Sequence, residues 1–577
     1  MNMMQLSSLC TQDTLVAERR GGGREYIYLH DLVPPIIPTL KCSVEGEEEV
    51  VVDVRRSDFP KGFLFGAATS AYQIEGAFLE DGKSLCNWDV FCRIEGAVAD
   101  GTTGDVADDH YHRYLEDIEI MHSLGLTAYR FSISWSRVVP RGTFGEVNQV
   151  GIQFYNKIID NLLLRGIEPF VTIHHHDYPQ ELEDRFGAWL SPLMQEEFVH
   201  FAEICFKNFA DRVKYWMTIN EPNIFAEMAY ERGTYPPARC SPPFGNCVIG
   251  NSDVEPLIAM HNMLLAHAKA AKVYRDQFKS KLDGFISITV CALMYVPLTD
   301  DEKDKEAAAR ALAFNSAWAL DPLVFGDYPP EMKQYHGSEL PRFSPEEKLL
   351  LKDSIDFIGV NHYGTLYAKD CIYSDCSCSE SSCLGGSNRP IRGFVYTTGE
   401  RDGVLIGDKT GMPRFFVVPR GMEDIIRYLR ERYNNKPMYI TENGYATPVD
   451  ELDYRHDVKR IHFHQSHLEY LARAMRYDRF LQKHTECRVI SCMERICRDG
   501  ADVRGYFIWS LLDNFEWDSG YTMKFGIHDI DRSSENASMK RIPKLSALWY
   551  RDFLCNGSSV GAENWDKCVS TVSVQSY

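Results

Sequence analysis

The stretch YITENGY, Tyr439 to Tyr445, ends an apolar run on the carboxylate of Glu442, and WMTINEP, Trp216 to Pro222, does the same with Glu221. Either group alone would serve equally well as a structural carboxylate bonded to an Arg or a backbone N–H. Together they match the needs of glycoside hydrolysis, where one carboxyl protonates the departing oxygen and the other, ionised, attacks the anomeric carbon. Their surroundings must then pull their pKa values apart. Glu221 follows the apolar WMTI, a setting in which desolvation raises a carboxyl pKa. Arg130, if it reaches Glu442, keeps that carboxylate charged, and Tyr363 can orient it with a hydrogen bond. A sugar also needs amide and carboxylate partners for its hydroxyls and aromatic faces for its C–H surface. Asn220 suits the 2-hydroxyl, Gln73 lies in SAYQIEG, and WSLLDNFEW supplies Trp509, Glu516 and Trp517 in one loop.

These residues lie far apart in the chain, so a fold must gather them. From about residue 60 short β-like runs alternate with longer helical patterns. The runs are GFLFGAAT, TAYRFSISW, EPFVTIHHH, KYWMTINEP, GFISITV, DFIGVNHY, PMYITENG and VRGYFIWSLLD. They are almost continuously apolar, as strands of a parallel sheet covered on both faces should be. Helical stretches such as YHRYLEDIEIMHSLGL end near a Gly suited to a helix C-terminus. Eight such units predict an α/β fold, a single (β/α)₈ barrel. Its strand ends would carry Arg130, then His174, His175 and His176, then Asn220 and Glu221, Asn361 and Tyr363, Glu442 and Asn443, and Trp509. In a barrel all of these meet on one face.

The chain has 577 residues, 44% of them hydrophobic, and a formal net charge of -20. That charge argues against nucleic acid or an anionic membrane as partner and favours a neutral small molecule. No run of about 18 apolar residues suggests a membrane span. Residues 1–53 lack the basic start, apolar stretch and cleavage site of a signal peptide and read as a disordered or mispredicted extension. The barrel is expected over 54–555, with a tail at 556–577. Among seventeen cysteines, Cys240 and Cys247 bracket a Pro/Gly loop whose ends can close as a disulfide. Cys371, Cys376, Cys378 and Cys383 share a polar loop whose spacing fits no common zinc pattern, so disulfides or free thiols are expected there and no metal. Sequons stand at Asn536 and Asn556.

The segments GFLFGAATSAYQIEG, YRFSISWSR, TINEP, YITENG and GYFIWSLLDNFEW resemble, in order from about Ser57 to Leu554, the signature segments of glycoside hydrolase family 1, in its plant β-glucosidase group. The resemblance implies a retaining β-glycosidase that needs no cofactor, with a β-glucoside as its small-molecule partner. It implies Glu221 as acid/base and Glu442 as nucleophile. Gln73, His175, Asn220, Trp509, Glu516 and Trp517 fall on glucose-binding positions. Tyr363 and Arg130 match the residues that support the nucleophile, Tyr363 also facing the substrate. Cys240 and Cys247 match a plant-type loop disulfide, and family habit implies the secretory pathway, to the cell wall or vacuole. A glutamate at 221 sets the chain apart from the thioglucosidase branch. The segments CSPPFGNC, AKDCIYS and MPRFFVVPRGME are similar to plant enzymes assigned to monolignol glucosides such as coniferin. The aglycone-side tryptophan of the family falls at Arg414, with Phe415 beside it.

Three features depart from that pattern. His176 stands where relatives carry an aromatic residue, either as a tolerated surface change or as an imidazole that covers less of a sugar and can carry charge, so that glucose affinity falls or becomes pH-dependent. Tyr477 to Cys497, with three cysteines, intervene between LARAMR and DGADVRGYF. Arg476–Tyr477 can be encoded AGG-TAY and Cys497–Arg498 TGC-AGR, the edges of a plant intron, so the insertion reads as a retained intron between the seventh and eighth strands. The extension at 1–53 is the third. Besides hydrolysis, the same residues admit a transglucosidase, in which an alcohol replaces water, and a sugar-binding scaffold disabled by the insertion.

Overall fold

Each of the eight apolar runs forms a strand. These are β1 Leu64–Ala68, β2 Ala128–Ser132, β3 Glu168–His174, β4 Tyr215–Asn220, β5 Phe285–Cys291, β6 Ile358–Asn361, β7 Met438–Asn443 and β8 Val503–Trp509. All pair in parallel, in the order β1-β8-β7-β6-β5-β4-β3-β2, and the sheet closes on itself. The computed structural model describes residues 54–376, 387–451, 454–476, 500–532 and 538–555, and all of these fall in one compact unit.

Helices wrap the barrel: α1 His110–Leu124, α2 Gln149–Leu164, α3 Leu193–Phe209, α4 Pro222–Tyr230, α5 Glu255–Gln277, α6 Glu302–Phe314, α7 Ser316–Phe325, α8 Arg420–Arg432, α9 Val458–Met475 and α10 Leu545–Cys555. Helix α1 stops where Gly125 turns left-handed at φ 77°, a conformation that costs glycine little. The main core lies between strands and helices. A second cluster fills the barrel itself, where Phe170 stacks on Tyr215 at 4.2 Å and meets Phe507 at 4.8 Å. These rings plug the barrel below the rim, so the site above them has an apolar floor. A three-stranded sheet of Met294–Pro297, Thr365–Asp370 and Val395–Thr398 rises beyond β5 and β6.

The β4–β5 register slips between Met217 and Asn220, and the β7–β6 register slips between Ile440 and Glu442. Irregularities of this kind re-aim the side chains that follow them. Both carboxylate-bearing strand ends carry one. No helix among the described residues is long and apolar enough to cross a membrane.

The extension at 1–53, the insertion at 477–497, the tail at 556–577, both sequons, Cys378 and Cys383 lie outside the described residues. Cys371 and Cys376 form a disulfide, as do Cys240 and Cys247. The chain on either side of the insertion is well defined. Ala501 N–H donates to the Ala474 carbonyl at 3.0 Å, and a Cβ on Gly500 would lie 2.0 Å from the Met475 carbonyl oxygen. The end of α9 and the approach to β8 therefore touch, and a short connection suffices to join them. Loop length changes closure entropy slowly, by about 0.6 kcal/mol per doubling. A chain lacking residues 477–498 is expected to keep the same near-ultraviolet circular dichroism and an unfolding midpoint no lower than that of the full chain. Loss of the near-ultraviolet signal would show that the inserted residues are needed for packing.

Candidate active site

The rim gathers the sequence-predicted residues around one buried cation. Arg130, in β2, is fully buried; its Nη1 donates to Glu442 Oε1 and its Nη2 to Asn220 Oδ1 at 2.6 Å. Tyr363, just past β6, donates to Glu442 Oε2 at 2.7 Å. Both oxygens of Glu442 are thus held by donors, one of them cationic. Burial, then the charges of Glu442 and Glu221, hold the Tyr363 phenol well above its usual pKa, so it remains a donor. Phe415 stacks on the Tyr363 ring at 4.9 Å and 8°.

Glu221 is treated differently. It stands between β4 and α4 with φ 42° and ψ 57°, a left-handed backbone, and Pro222 opens the helix behind it. A non-glycine residue held there costs of order 1 kcal/mol, strain of the sort found where side-chain aim matters. Its carboxyl accepts only neutral hydrogen bonds, from Asn361 Nδ2 at 2.8 Å and from the Cys291 thiol. Burial first, and the charge of Glu442 second, push its pKa up to about 8, against the pull of Asn361 and Arg130. The carboxyl therefore carries a proton near neutral pH.

Asn361 ends β6 and was legible only as a strand-end amide; the structure makes it a hub. Its Nδ2 also donates to Asn220 Oδ1 at 3.2 Å, and its Oδ1 accepts from Thr441 Oγ1 at 2.7 Å. Glu442, Arg130, Asn220, Asn361 and Glu221 thus form one continuous polar chain. Removing a link displaces its neighbours, since buried networks act as units.

The remaining predicted residues surround this chain. His175, just past β3, accepts from Asn220 Nδ2 at its Nε2, 3.0 Å away. Its ring lies 5.9 Å from Trp509 and 5.9 Å from Trp517, close to parallel with both. Burial keeps this imidazole neutral, leaving Nδ1 as an N–H donor with no partner among the described residues. Gln73, in a turn after β1, donates through Nε2 to Asn514, to the Phe515 carbonyl and to Glu516 Oε2 at 3.4 Å, and accepts from Ser70 at Oε1. Neither Ser70 nor Asn514 stood out in the sequence. Burial and then Glu442 raise the Glu516 pKa to about 8. The Cys240–Cys247 loop connects α4 to α5.

At His176 the structure corrects two sequence-based readings, the surface change and the titrating imidazole. The residue is 2% exposed, which excludes a tolerated surface change. Burial lowers its pKa to about 3, so it stays neutral across the physiological range and cannot make sugar binding depend on pH there. It packs 5.2 Å from both Phe225 and Trp517, filling the space of an aromatic ring.

A carboxyl with a raised pKa, a carboxyl held by a guanidinium and a phenol, and a polar shell are therefore present together. The Asn361 hydrogen bond lowers the Glu221 pKa, so Asn361→Ala should move the alkaline limb of a kcat/KM profile upward from about pH 8. A limb that moved down or stayed would contradict this assignment of the donor.

Comparison with known sequences places this geometry in context. The model of the family described as Glycosyl hydrolase family 1 matches residues 55–485 and 479–558, two pieces that meet at the insertion. The chain is 48% identical over 506 residues to a rice (Oryza sativa subsp. japonica) protein named "Probable inactive beta-glucosidase 14", covering 87% of this chain and 92% of that one. It is 46% identical over 519 residues to a coniferin beta-glucosidase of Pinus contorta, covering 89% and 95%. The crystal structure of the rice beta-glucosidase Os3BGlu6 superposes with a TM-score of 0.79 at 40% identity, covering 86% of this chain and 99% of that one.

Proposed function

The chain belongs to glycosyl hydrolase family 1, and from that premise we propose that it is a retaining β-glucosidase with Glu442 as nucleophile and Glu221 as acid/base. One observation carries the reading: two buried carboxyl groups at the barrel rim, joined by one polar chain, have opposite kinds of partner. Glu442 accepts from the Arg130 guanidinium and the Tyr363 phenol, while Glu221 has one amide donor and a pKa near 8.

In the first step a Glu442 oxygen attacks the anomeric carbon as Glu221 passes its proton to the glycosidic oxygen, and the aglycone leaves as an alcohol or phenol. In the second step Glu221, now a carboxylate, takes a proton from water that attacks the glucosyl ester, freeing glucose and Glu442. Replacing water by an alcohol would give transglucosylation by the same groups. His175 Nδ1, Glu516 and Gln73 supply the polar contacts for sugar hydroxyls, and Trp509 and Trp517 the apolar faces. The Pinus relative and the loop segments favour phenolic or monolignol-type glucosides. A secretory route is in keeping with the two disulfides, which persist in oxidising compartments.

The name of the rice relative gives the sugar-binding scaffold a specific observation in its favour, which turnover decides. The full chain should hydrolyse phenyl and 2,4-dinitrophenyl β-D-glucosides, with kcat/KM falling above about pH 8 as Glu221 loses its proton. Glu221→Gln should lower kcat/KM for the phenyl glucoside by about 10²–10⁴, spare formation of the intermediate from the dinitrophenyl glucoside, and abolish the alkaline limb. Azide should then restore turnover, giving the β-glucosyl azide. Equal losses on both substrates would contradict the assignment, and a wild-type chain that turned over neither would favour the scaffold.

A further inference from the structure

Beside Glu221 lies a cavity partly open to solvent. Asn223 and Ile224, in the first turn of α4, form its inner edge, and Tyr295, Phe314 and Trp318 give it aromatic walls. The chain links its lining to the reacting groups at two points. Helix α4 begins at the residue after Glu221, and Arg414, on the opposite edge, precedes the Phe415 that stacks on Tyr363. Asn223 ties the two elements of the inner edge together, its Nδ2 donating to the Cys291 carbonyl at the end of β5, 2.8 Å away.

The polar side of the cavity is lined by two guanidiniums, Arg392 and Arg414, and two carboxyl groups, Glu227 and Glu231. Arg232, Arg392 and Arg414 all donate to one oxygen, Glu227 Oε1, at 2.8, 3.1 and 2.7 Å. Arg392 also pairs with Glu231 at 2.6 Å. Against burial, which pushes it up, the Arg392 and Arg414 guanidiniums hold Glu227 down at about 2. Burial and the neighbouring Glu227 push Glu231 up to about 8. Glu227 is therefore the more acidic of the two carboxyl groups, shared by Arg392 and Arg414 of the cavity wall and by Arg232, which does not line it. Arg414 spends a single N–H on Glu227, and its Nε and Nη2 make no other hydrogen bond among the described residues. Trp318, 5% exposed, has an indole N–H without a partner among them. Aromatic walls and spare guanidinium donors suit a flat ring that ends in an anion, because a guanidinium fork matches a carboxylate.

We propose that this cavity receives the aglycone and selects an aromatic one bearing a carboxylate, with Arg414 reading the charge. The proposal rests on the hydrolase reading of Glu221 and Glu442 and narrows its phenolic substrates to glucosides of phenolic acids. The position that resemblance assigns to a flat tryptophan surface becomes a charge-selective one.

The test compares 4-carboxyphenyl β-D-glucoside with its methyl ester in the full chain, Arg414→Gln and Arg414→Lys. Reading each substrate across the variants cancels its intrinsic reactivity. Arg414→Gln should lower kcat/KM for the acid at least about tenfold, the worth of one charge-assisted hydrogen bond. It should leave the ester within about threefold, which also shows that the variant folds. Arg414→Lys, with charge but no fork, should fall between. Equal losses on acid and ester, or no loss on the acid, would overturn the proposal. If the full chain turns over neither substrate, the hydrolase reading fails, and calorimetric binding of 4-hydroxybenzoate against methyl 4-hydroxybenzoate takes over. Acid-selective binding that weakens tenfold or more in Arg414→Gln would still support charge reading. Absent or unweakened binding would overturn it.

Discussion

The Arg130 guanidinium, carried by the middle residue of β2, sits fully buried and divides its donors between the Glu442 carboxylate and the Asn220 amide oxygen. Burying an unpaired charge is costly, and breaking a buried pair typically costs about 3–5 kcal/mol. Once Arg130 is in place, Glu442 has a partner inside the barrel and Asn220 has a fixed orientation. Asn220 then turns its amide N–H groups toward His175, and its oxygen also receives Asn361. Glu221 comes last in the chain of contacts and receives an amide donor in place of a cation. The inequality between the two carboxyl groups follows from there being one guanidinium between them.

The barrel makes that arrangement possible at modest local cost. Aromatic packing below the rim fills the barrel from beneath, so polar groups above it strengthen one another in a low-dielectric setting. The irregularities at the ends of β4 and β7 and the left-handed backbone of Glu221 bend single residues out of the regular sheet. The flanks of the 477–499 segment touch one another on the helical shell, away from the strand ends that carry the carboxylates.

Much of this was legible in the sequence. Strands covered on both faces must be apolar throughout, so GFISITV and PMYITENG announced themselves, and a polar residue ending such a run stood out. Glu221, Glu442, Arg130 and Tyr363 were found for that reason. What escaped depends on three-dimensional neighbours. Asn361 looked like one more strand-end amide, yet it bonds to Glu221 and Asn220 together. His176 read as exposed or as a titrating group because a single letter carries no burial, and its 2% exposure settles its charge. Arg414 read as a missing aromatic. Its pairing with Glu227, 187 positions earlier, has no local signature.

The central claim is that Glu442 is the ionised nucleophile and Glu221 the proton donor. The most direct measurement incubates the full chain with 2,4-dinitrophenyl 2-deoxy-2-fluoro-β-D-glucoside, whose glucosyl ester forms but hydrolyses slowly, and maps the adduct by peptide mass spectrometry. One added fluoroglucosyl group on the peptide carrying Glu442, absent from Glu442→Gln, is the expected result. A label on Glu221, or none on a chain that still cleaves aryl glucosides, would contradict the account.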